Sequence, residues 1–584
     1  MQINMQIKKI GIPLCITVIL AAIFMLIYTP TYAINDDLMI EGILSGSYFK
    51  VYPYTYYFST PLGLLISALY SISIGNIPWF GLFIIGANIC SIYAIEYVAV
   101  NRVCEGIKKL IPIFISIIMI LCLQFQGFVL PHYTVVAASL GAAGLLLFIT
   151  ARNEKQFVAP IIFFIMTYLV RENVFFMLVP FIGIAFIYLL VVNKNYSLKK
   201  YFLYAISFIV IAGAMILLNH LMGNSAKWNN YKQFNKIRTD VYDYTGVPDD
   251  DEAIAYYLSK DIDESDIDLI KSYNITFASQ ETIKDELEVI AKYAYDKKNE
   301  TGFKTRLKEA IIAYKYRLFN ENTDAPYNYI LLALYAIVLL LAVSSKNLSR
   351  LIPIVLLGVG GRMIWIYLFF AGRYPERVTM SLYIMEILLL MGIIIRQINN
   401  DGMVQKTTII QKAAIIGVGV AFILGSVQSV SKLDVEYSKV YNTNSSDDML
   451  YSYMYDHLED FYFLDVYATV SRTKPVLEAS RYSPKNYKMQ GASLTPHECE
   501  NYMLLGGWMV AHPLYNDKLD QILTNTGEKT LRDALLASSR LHIVVKDGVG
   551  ADPDELSRVV GAKARVVDSI EAGDETFYVY SFCE

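Results

Sequence analysis

Eleven apolar stretches, each close to the length that crosses a bilayer, govern what this chain can become. They cover residues 10–29, 78–100, 110–129, 132–150, 157–170, 173–192, 201–222, 327–344, 351–370, 377–395 and 408–429. A hydrocarbon core about 30 Å thick needs about 20 apolar residues of helix. Within it every backbone N–H and C=O must be bonded inside the chain, which leaves only helices or closed barrels. Runs of this length select helices. The 584-residue chain is therefore expected to be a polytopic α-helical membrane protein, in keeping with 55% hydrophobic residues and a mean hydropathy of +0.39. A net charge of −4 offers no basic surface for nucleic acid. The first run follows Lys8 and Lys9 as a signal peptide would. Asn35-Asp36-Asp37 comes next rather than a small-residue cleavage site, and many spans follow, so this run is expected to remain as a span.

Positive charge fixes the expected topology, because Lys and Arg accumulate in short cytoplasmic loops. A weaker run at 60–75, opening Ser59-Thr60-Pro61-Leu62-Gly63-Leu64-Leu65, decides the side of everything after it. If it does not cross, the cytoplasmic loops hold Arg102, Lys108 and Lys109; Arg152 and Lys155; Lys194, Lys199 and Lys200; Lys346 and Arg350; Arg396 and Lys406. If it crosses, every one of these groups moves outside. The run is therefore read as a helix in the outer interface, which makes the N-terminus cytoplasmic. The expected layout is an N-terminal membrane module at 1–222 with outer loop 30–77, an extracytoplasmic helical cap at 223–325, membrane helices at 326–430 and an extracytoplasmic α/β domain at 431–584.

The cap shows helical apolar spacing at 261–273 and 281–297. In the C-terminal segment, 461–470, 541–545, 565–569 and 576–582 read as strands, Ala572-Gly573-Asp574 as a hairpin turn and 531–538 as a helix. Six cysteines are scattered; Cys15, Cys90, Cys104 and Cys122 lie in or near apolar runs, where a thiol serves as a small apolar group. Cys499 and Cys583 would pair only if both face an oxidising space.

Charged residues are sparse and gather on the expected outer face. Asp36 and Asp37, with Glu41 one turn on, follow the first span. As carboxylates they accept protons, as a general base must, or hold a hard divalent cation, or simply solvate a turn. Arg171 and Glu172 break two apolar helices at an outer corner. The arginine there either snorkels to headgroups or grips a lipid phosphate with its planar fork. Arg373 and Arg377 flank Tyr374-Pro375-Glu376 at another outer corner, against the positive-inside trend, and suit a phosphate leaving group. His132, with Tyr133, opens an outer helix end and is a further candidate beside the structural default. Arg362 and Glu386 lie near the bilayer centre and are expected to pair with each other or with a polar cavity. Trp508, after Gly506-Gly507, marks a tight turn or offers a sugar-stacking ring. No His/Cys cluster has zinc spacing, and no phosphate-cradling glycine loop or nucleophile elbow is present.

This pattern resembles the C-type glycosyltransferase superfamily. The resemblance is carried by the acidic pair in Ala33-Ile34-Asn35-Asp36-Asp37, the Pro-Leu-led juxtamembrane helix from Thr60 and the outer C-terminal domain. Trp228-Asn229-Asn230-Tyr231, Asn235-Lys236-Ile237-Arg238, Asp243-Tyr244 and Gly372-Arg373-Tyr374-Pro375-Glu376-Arg377 look like an uncharacterised bacterial branch of it. The chain has Thr60-Pro61-Leu62 where some relatives have Pro-Pro-Leu, and no His-Pro-Asp-Glu motif is evident. The resemblance implies an enzyme of the cell membrane that moves a sugar from a polyprenyl-phosphate donor to an extracytoplasmic glycan or polymer acceptor. It implies Asp36, with Asp37 beside it, as base, and Arg171, Arg373 and Arg377 on the lipid phosphate; metal use differs among members. Glu41, His132, Glu172, Tyr374 and Glu376 stand near these groups. A lipid-linked glycan flippase and a non-catalytic membrane scaffold are the alternatives.

Overall fold

The computed structural model describes residues 2–72, 77–103, 107–192, 198–320, 323–344, 350–400, 409–468, 472–479 and 499–583. Cys104, Lys194, Lys346, Lys406 and the end of the 60–75 run lie outside the described residues. The protein is 74% helical. Among the described residues, eight of the eleven apolar runs fold as helices long and apolar enough to span a membrane, including Lys8–Ile27, Trp79–Asn101, Tyr327–Ser344, Leu351–Ala371 and Ile409–Asp456. The other three are shorter. Run 110–129 breaks into Leu110–Leu123 and Phe125–Val129, run 132–150 gives Tyr133–Ile149, and run 157–170 gives Val158–Val170 after a 3-10 turn. At 1.5 Å per residue, 13 to 17 residues reach about 20–26 Å, short of the hydrocarbon thickness.

Tyr133–Ile149 need not reach, because every one of its residues is buried inside the bundle. Small residues let neighbours close on it: a Cβ on Gly392 would stand 2.1 Å from Ile149 Cγ2. Its two ends carry opposite charge. At the N-terminus the Tyr133 N–H donates to Asp37 Oδ1 (3.0 Å). At the C-terminus Arg396 donates to the Ile149 and Ala151 carbonyls (2.9 and 2.6 Å), and Arg102 to the Leu147 carbonyl and Thr150 Oγ1. Anion at the start and cations at the end complement the helix dipole and satisfy its terminal backbone groups. Arg102, Arg152 and Arg396 thus gather at the end of the bundle opposite the acidic pair.

Thr60–Ile72 is a 13-residue helix, too short to span, folded back on the preceding loop so closely that a Cβ on Gly63 would meet the Pro53 carbonyl at 2.1 Å. The expected deep pair exists: Arg362 Nη2 donates to both Glu386 oxygens (2.6 and 2.7 Å).

The final span does not stop at residue 430. Ile409–Asp456 runs 48 residues without a break and carries the C-terminal domain on its end. That domain is a five-stranded sheet of β1 (Phe461–Leu464), β2 (Tyr502–Leu504), β3 (Leu541–Lys546), β4 (Arg565–Ala572) and β5 (Glu575–Ser581), ordered β2-β1-β3-β5-β4. β1 runs parallel to β2 and β3, and β5 antiparallel to β3 and β4. Leu450 and Met454 of the long helix cover one face, with Leu464, Val544 and Val579. The other face joins the cap in one core, where Phe461 and Ile543 meet Tyr231, Ile270 and Ile290. The β4–β5 hairpin turns at Gly573 (φ +67°), as the turn signal predicts. Cys499 and Cys583 form no disulfide.

Candidate functional site

Residues 30–33 run extended, and their backbone is held on two sides. Thr31 and Ala33 N–H donate to the Val129 and Pro131 carbonyls (2.9 and 3.0 Å). Tyr32 N–H donates to the Lys474 carbonyl (3.1 Å), and Val476 N–H to that of Pro30 (2.8 Å). This clamp sets the N-termini of helices Asn35–Ser45 and Tyr133–Ile149 side by side, with residues of the C-terminal domain against both.

The two aspartates then diverge. Asp37 is fully buried and accepts the first N–H of the central helix, an anchoring contact. Asp36 is partly exposed, and its Oδ1 accepts the Trp508 indole N–H (3.0 Å). Burial pushes the Asp36 carboxyl up from its ordinary value, against the pull of Arg377, Arg171, the Trp508 hydrogen bond and Arg238. Burial pushes Asp37 up further, with the Tyr133 N–H opposing it and the Asp36 charge adding to it. Glu41 is tied to Lys474 (3.0 Å) and to the Tyr32 hydroxyl (3.0 Å).

Two arginines flank Asp36. The Arg171 guanidinium lies over the rings of Tyr57 (4.7 Å) and Tyr133 (5.3 Å). Arg377 sits in the first turn of Glu376–Asn400. Among the described residues neither guanidinium forms an ion pair within 4.0 Å, whereas Arg317, Arg362 and Arg373 all do. Each heads a cavity. Arg377 lines one with His132, Gln126, Glu376, Glu436 and Lys439. Arg171 lines the other with Tyr57, Tyr168, Asn219, His220 and Lys232, and Glu172 stands there too. Ile216 also borders this second cavity; it belongs to Phe202–Met222, a helix that packs on the bundle through Tyr204 and Phe208 and leaves Ile209, Val210, Ile216 and Leu217 exposed. The second cavity therefore adjoins a lipid-facing wall. His132 caps the central helix through Nδ1, which accepts the Thr134 N–H (2.9 Å), while its buried Nε2 has no hydrogen-bond partner.

Not every candidate joins the cluster. Arg373 turns to the cap, paired with Asp243 and stacked on Tyr244. Tyr374 stacks on Phe369 (4.3 Å), and Glu376 pairs with Lys432. Arg238 does join and escapes a reading by position: buried in a polar cap helix, it bonds Asn235 and the Tyr273 hydroxyl, and its charge reaches Asp36 and Tyr57. Its signal in the sequence is only an arginine on a helix face of buried aromatics, Trp228, Tyr231 and Phe234.

Trp508 arrives on a loop that the cap holds in place. Gly506 packs so tightly that a Cβ would lie 1.7 Å from the Tyr273 carbonyl, and Gly507 has φ +87°. The Tyr231 hydroxyl donates to the Trp508 carbonyl (2.8 Å) and the Thr276 N–H to that of Leu505 (3.0 Å). Buried Lys518 ties the Tyr48 and Tyr502 carbonyls together (2.7 and 2.8 Å). Buried Asn274 donates to Asp465 Oδ2 (2.7 Å), which ties the cap to the end of β1. His512 accepts the Leu514 N–H through Nδ1 and donates from Nε2 to the Tyr54 carbonyl (both 3.1 Å).

Fold and site together define a helical membrane protein whose small α/β domain reaches a charged cluster at one end of its bundle. No family model, curated protein or solved structure matches the chain. Among the described residues no group of His, Cys, Asp and Glu is placed to hold a metal ion.

Proposed function

We propose that this protein is a glycosyltransferase that moves a sugar from a polyprenyl-phosphate donor to an acceptor hydroxyl at the end of the bundle bearing Asp36, and that this end is extracytoplasmic, a reading supported by Arg102, Arg152 and Arg396 gathering at the other end. The observation that carries the reading is a partly exposed carboxylate set between two arginines without acidic partners, each opening into its own cavity. The cavity at Arg171 adjoins lipid and takes the donor: its tail lies along the wall beside Ile216, and its phosphate meets the guanidinium and Lys232. The cavity at Arg377 takes the acceptor.

The acceptor oxygen attacks the anomeric carbon as the bond from that carbon to the phosphate oxygen breaks, with inversion. Asp36 takes the hydroxyl proton through the oxygen Trp508 leaves free, and Arg171 stabilises charge developing on the departing phosphate. Asp37 supports this by fixing the central helix beneath. The deep charges Arg362 and Glu386 neutralise each other, which favours a site at one end over a polar path through the bundle.

Purified protein in lipid vesicles, given radiolabelled polyprenyl-phosphate sugar, is the test. The double variant Asp36→Asn, Asp37→Asn is expected to fold and to transfer nothing. Full transfer by that variant defeats the assignment.

A further inference from the structure

The helix Phe303–Asn320, at the end of the cap segment, leaves the cap and lies on the membrane bundle. Ala310, Tyr314 and Leu318, one turn apart, are buried in the same core as the spanning helices. Its neighbour is Leu351–Ala371, and the two cross. Phe303 stacks near Phe370 (5.4 Å), Tyr314 near Trp365 (5.7 Å) and Phe369 (6.2 Å), and Arg317 Nη1 donates to the Tyr374 carbonyl (3.5 Å). Phe303 and Arg317, fourteen positions apart, thus both meet the end of the other helix and the corner after it, while Tyr314 reaches along the span to Arg362 (5.8 Å). Parallel packing would have carried Phe303 or Arg317 down the span. The helix therefore lies across the bundle at the level where the neighbouring span ends.

Its outward side is neither a solvated face nor a hydrocarbon face. Lys304, Lys308, Ile311 and Lys315 follow i, i+4, i+7, i+11 and form one stripe of the helix. Ile311, Ile312 and Phe319, beside the lysines, are 44%, 56% and 51% exposed. All three lysines are exposed, and among the described residues none forms an ion pair. Ammonium groups on long apolar stems, interleaved with bare apolar side chains at the end of a span, fit the boundary between acyl chains and headgroups. Like charges at one-turn spacing repel unless an anionic layer meets them.

We infer that Phe303–Asn320 is an in-plane anchor whose Lys304, Lys308 and Lys315 stripe binds the phosphate headgroups of anionic phospholipids in the leaflet at the site end. The inference stands whether or not the protein transfers sugars. Ile311, Ile312 and Phe319 enter the acyl region beside those headgroups.

The test uses the full chain in neutral detergent, titrated with phosphatidylglycerol, phosphatidylcholine or polyprenyl phosphate, reading bound lipid by native mass and the thermal unfolding midpoint. Phosphatidylglycerol is expected to remain bound and raise the midpoint, at least threefold more effectively than phosphatidylcholine, with the difference shrinking in high salt. Lys304→Gln, Lys308→Gln and Lys315→Gln together should abolish that difference. The matching arginine triple should keep it, as should Lys260→Gln with Lys271→Gln on the exposed cap. Equal response to the two phospholipids overturns the inference, as does a glutamine triple that still distinguishes them. Binding of polyprenyl phosphate alone reassigns the stripe to that lipid and also overturns it.

Discussion

One hydrogen bond separates the roles of two adjacent aspartates. Asp37 spends its Oδ1 on a helix N-terminus, while Asp36 meets the side chain of a residue 472 positions away. That indole N–H favours the charged carboxylate and so restrains the upward push of burial. Replacing Trp508 with Phe keeps a ring against Tyr57 and removes the donor. The Asp36 carboxyl then rises further, so the acidic limb of a kcat/KM profile should move to higher pH, because a base must be ionised to act. A hydrogen bond to a charged group contributes about 1.5–3 kcal/mol, so kcat/KM near neutral pH should fall roughly tenfold or more. A limb that stays in place with wild-type rates removes Trp508 from the site. Sequence reading found Asp36 because paired carboxylates after a first span are conspicuous. It singled out Trp508 as a turn marker or a sugar-stacking ring but not as a partner of Asp36, because that pairing is set only by the fold. It also grouped Arg373 with Arg377. The corner splits them, since Arg373 precedes the helix and faces Asp243 while Arg377 lies in its first turn and faces the bundle.

Helices and strands declared themselves unevenly. The long apolar runs, the deep Arg362–Glu386 pair and the β4–β5 hairpin were legible because hydrocarbon solvent and turn geometry leave few options. β2, three residues long, carries too little pattern to read and exists through its partner β1. The helix Phe303–Asn320 read as part of a water-exposed cap because its charges mask the buried row of Ala310, Tyr314 and Leu318. Two tests belong to the seam between domain and cap. Gly506→Ala forces a methyl against the Tyr273 carbonyl, so the Trp508 loop must move. We expect lost transfer with the membrane bundle still folded, read by activity beside far-UV circular dichroism; undiminished transfer would mean the loop's position is immaterial. Burial holds His512 down to about 4, against the pull of the Tyr54 carbonyl and of Asp517, which raise it. Its folded value lies below the unfolded one near 6.5, so the seam is most stable above that and loses stability as pH falls from 6.5 towards 4. At full protonation the loss is on the order of 3 kcal/mol. Thermal melts across that range should show it, and His512→Gln should flatten the dependence; a variant as acid-sensitive as wild type would place the effect elsewhere.

At the scale of the molecule, three parts build one site: the bundle supplies Asp36, Arg171 and Arg377, the cap Arg238, and the C-terminal domain Trp508. The domain is joined by the unbroken helix Ile409–Asp456, fastened at its middle where Lys432 bonds the Thr323 carbonyl and Tyr437 the Thr29 carbonyl. A flexible Gly-Ser insertion between residues 441 and 446 should therefore leave expression and membrane insertion intact and cut transfer sharply, measured in vesicles. Unchanged transfer would make the helix a mere tether.

A rod of 48 residues is about 70 Å long, and it starts among lipid tails and ends beneath a sheet. Such a mast fixes the height of the tryptophan above the hydrocarbon. If the protein transfers sugar to a polymer as proposed, it cannot swing out to collect a distant chain end; the chain end must come down to it. A growing polymer would be handled close to the bilayer surface, and an acceptor too stiff to bend to that depth would be refused by geometry alone.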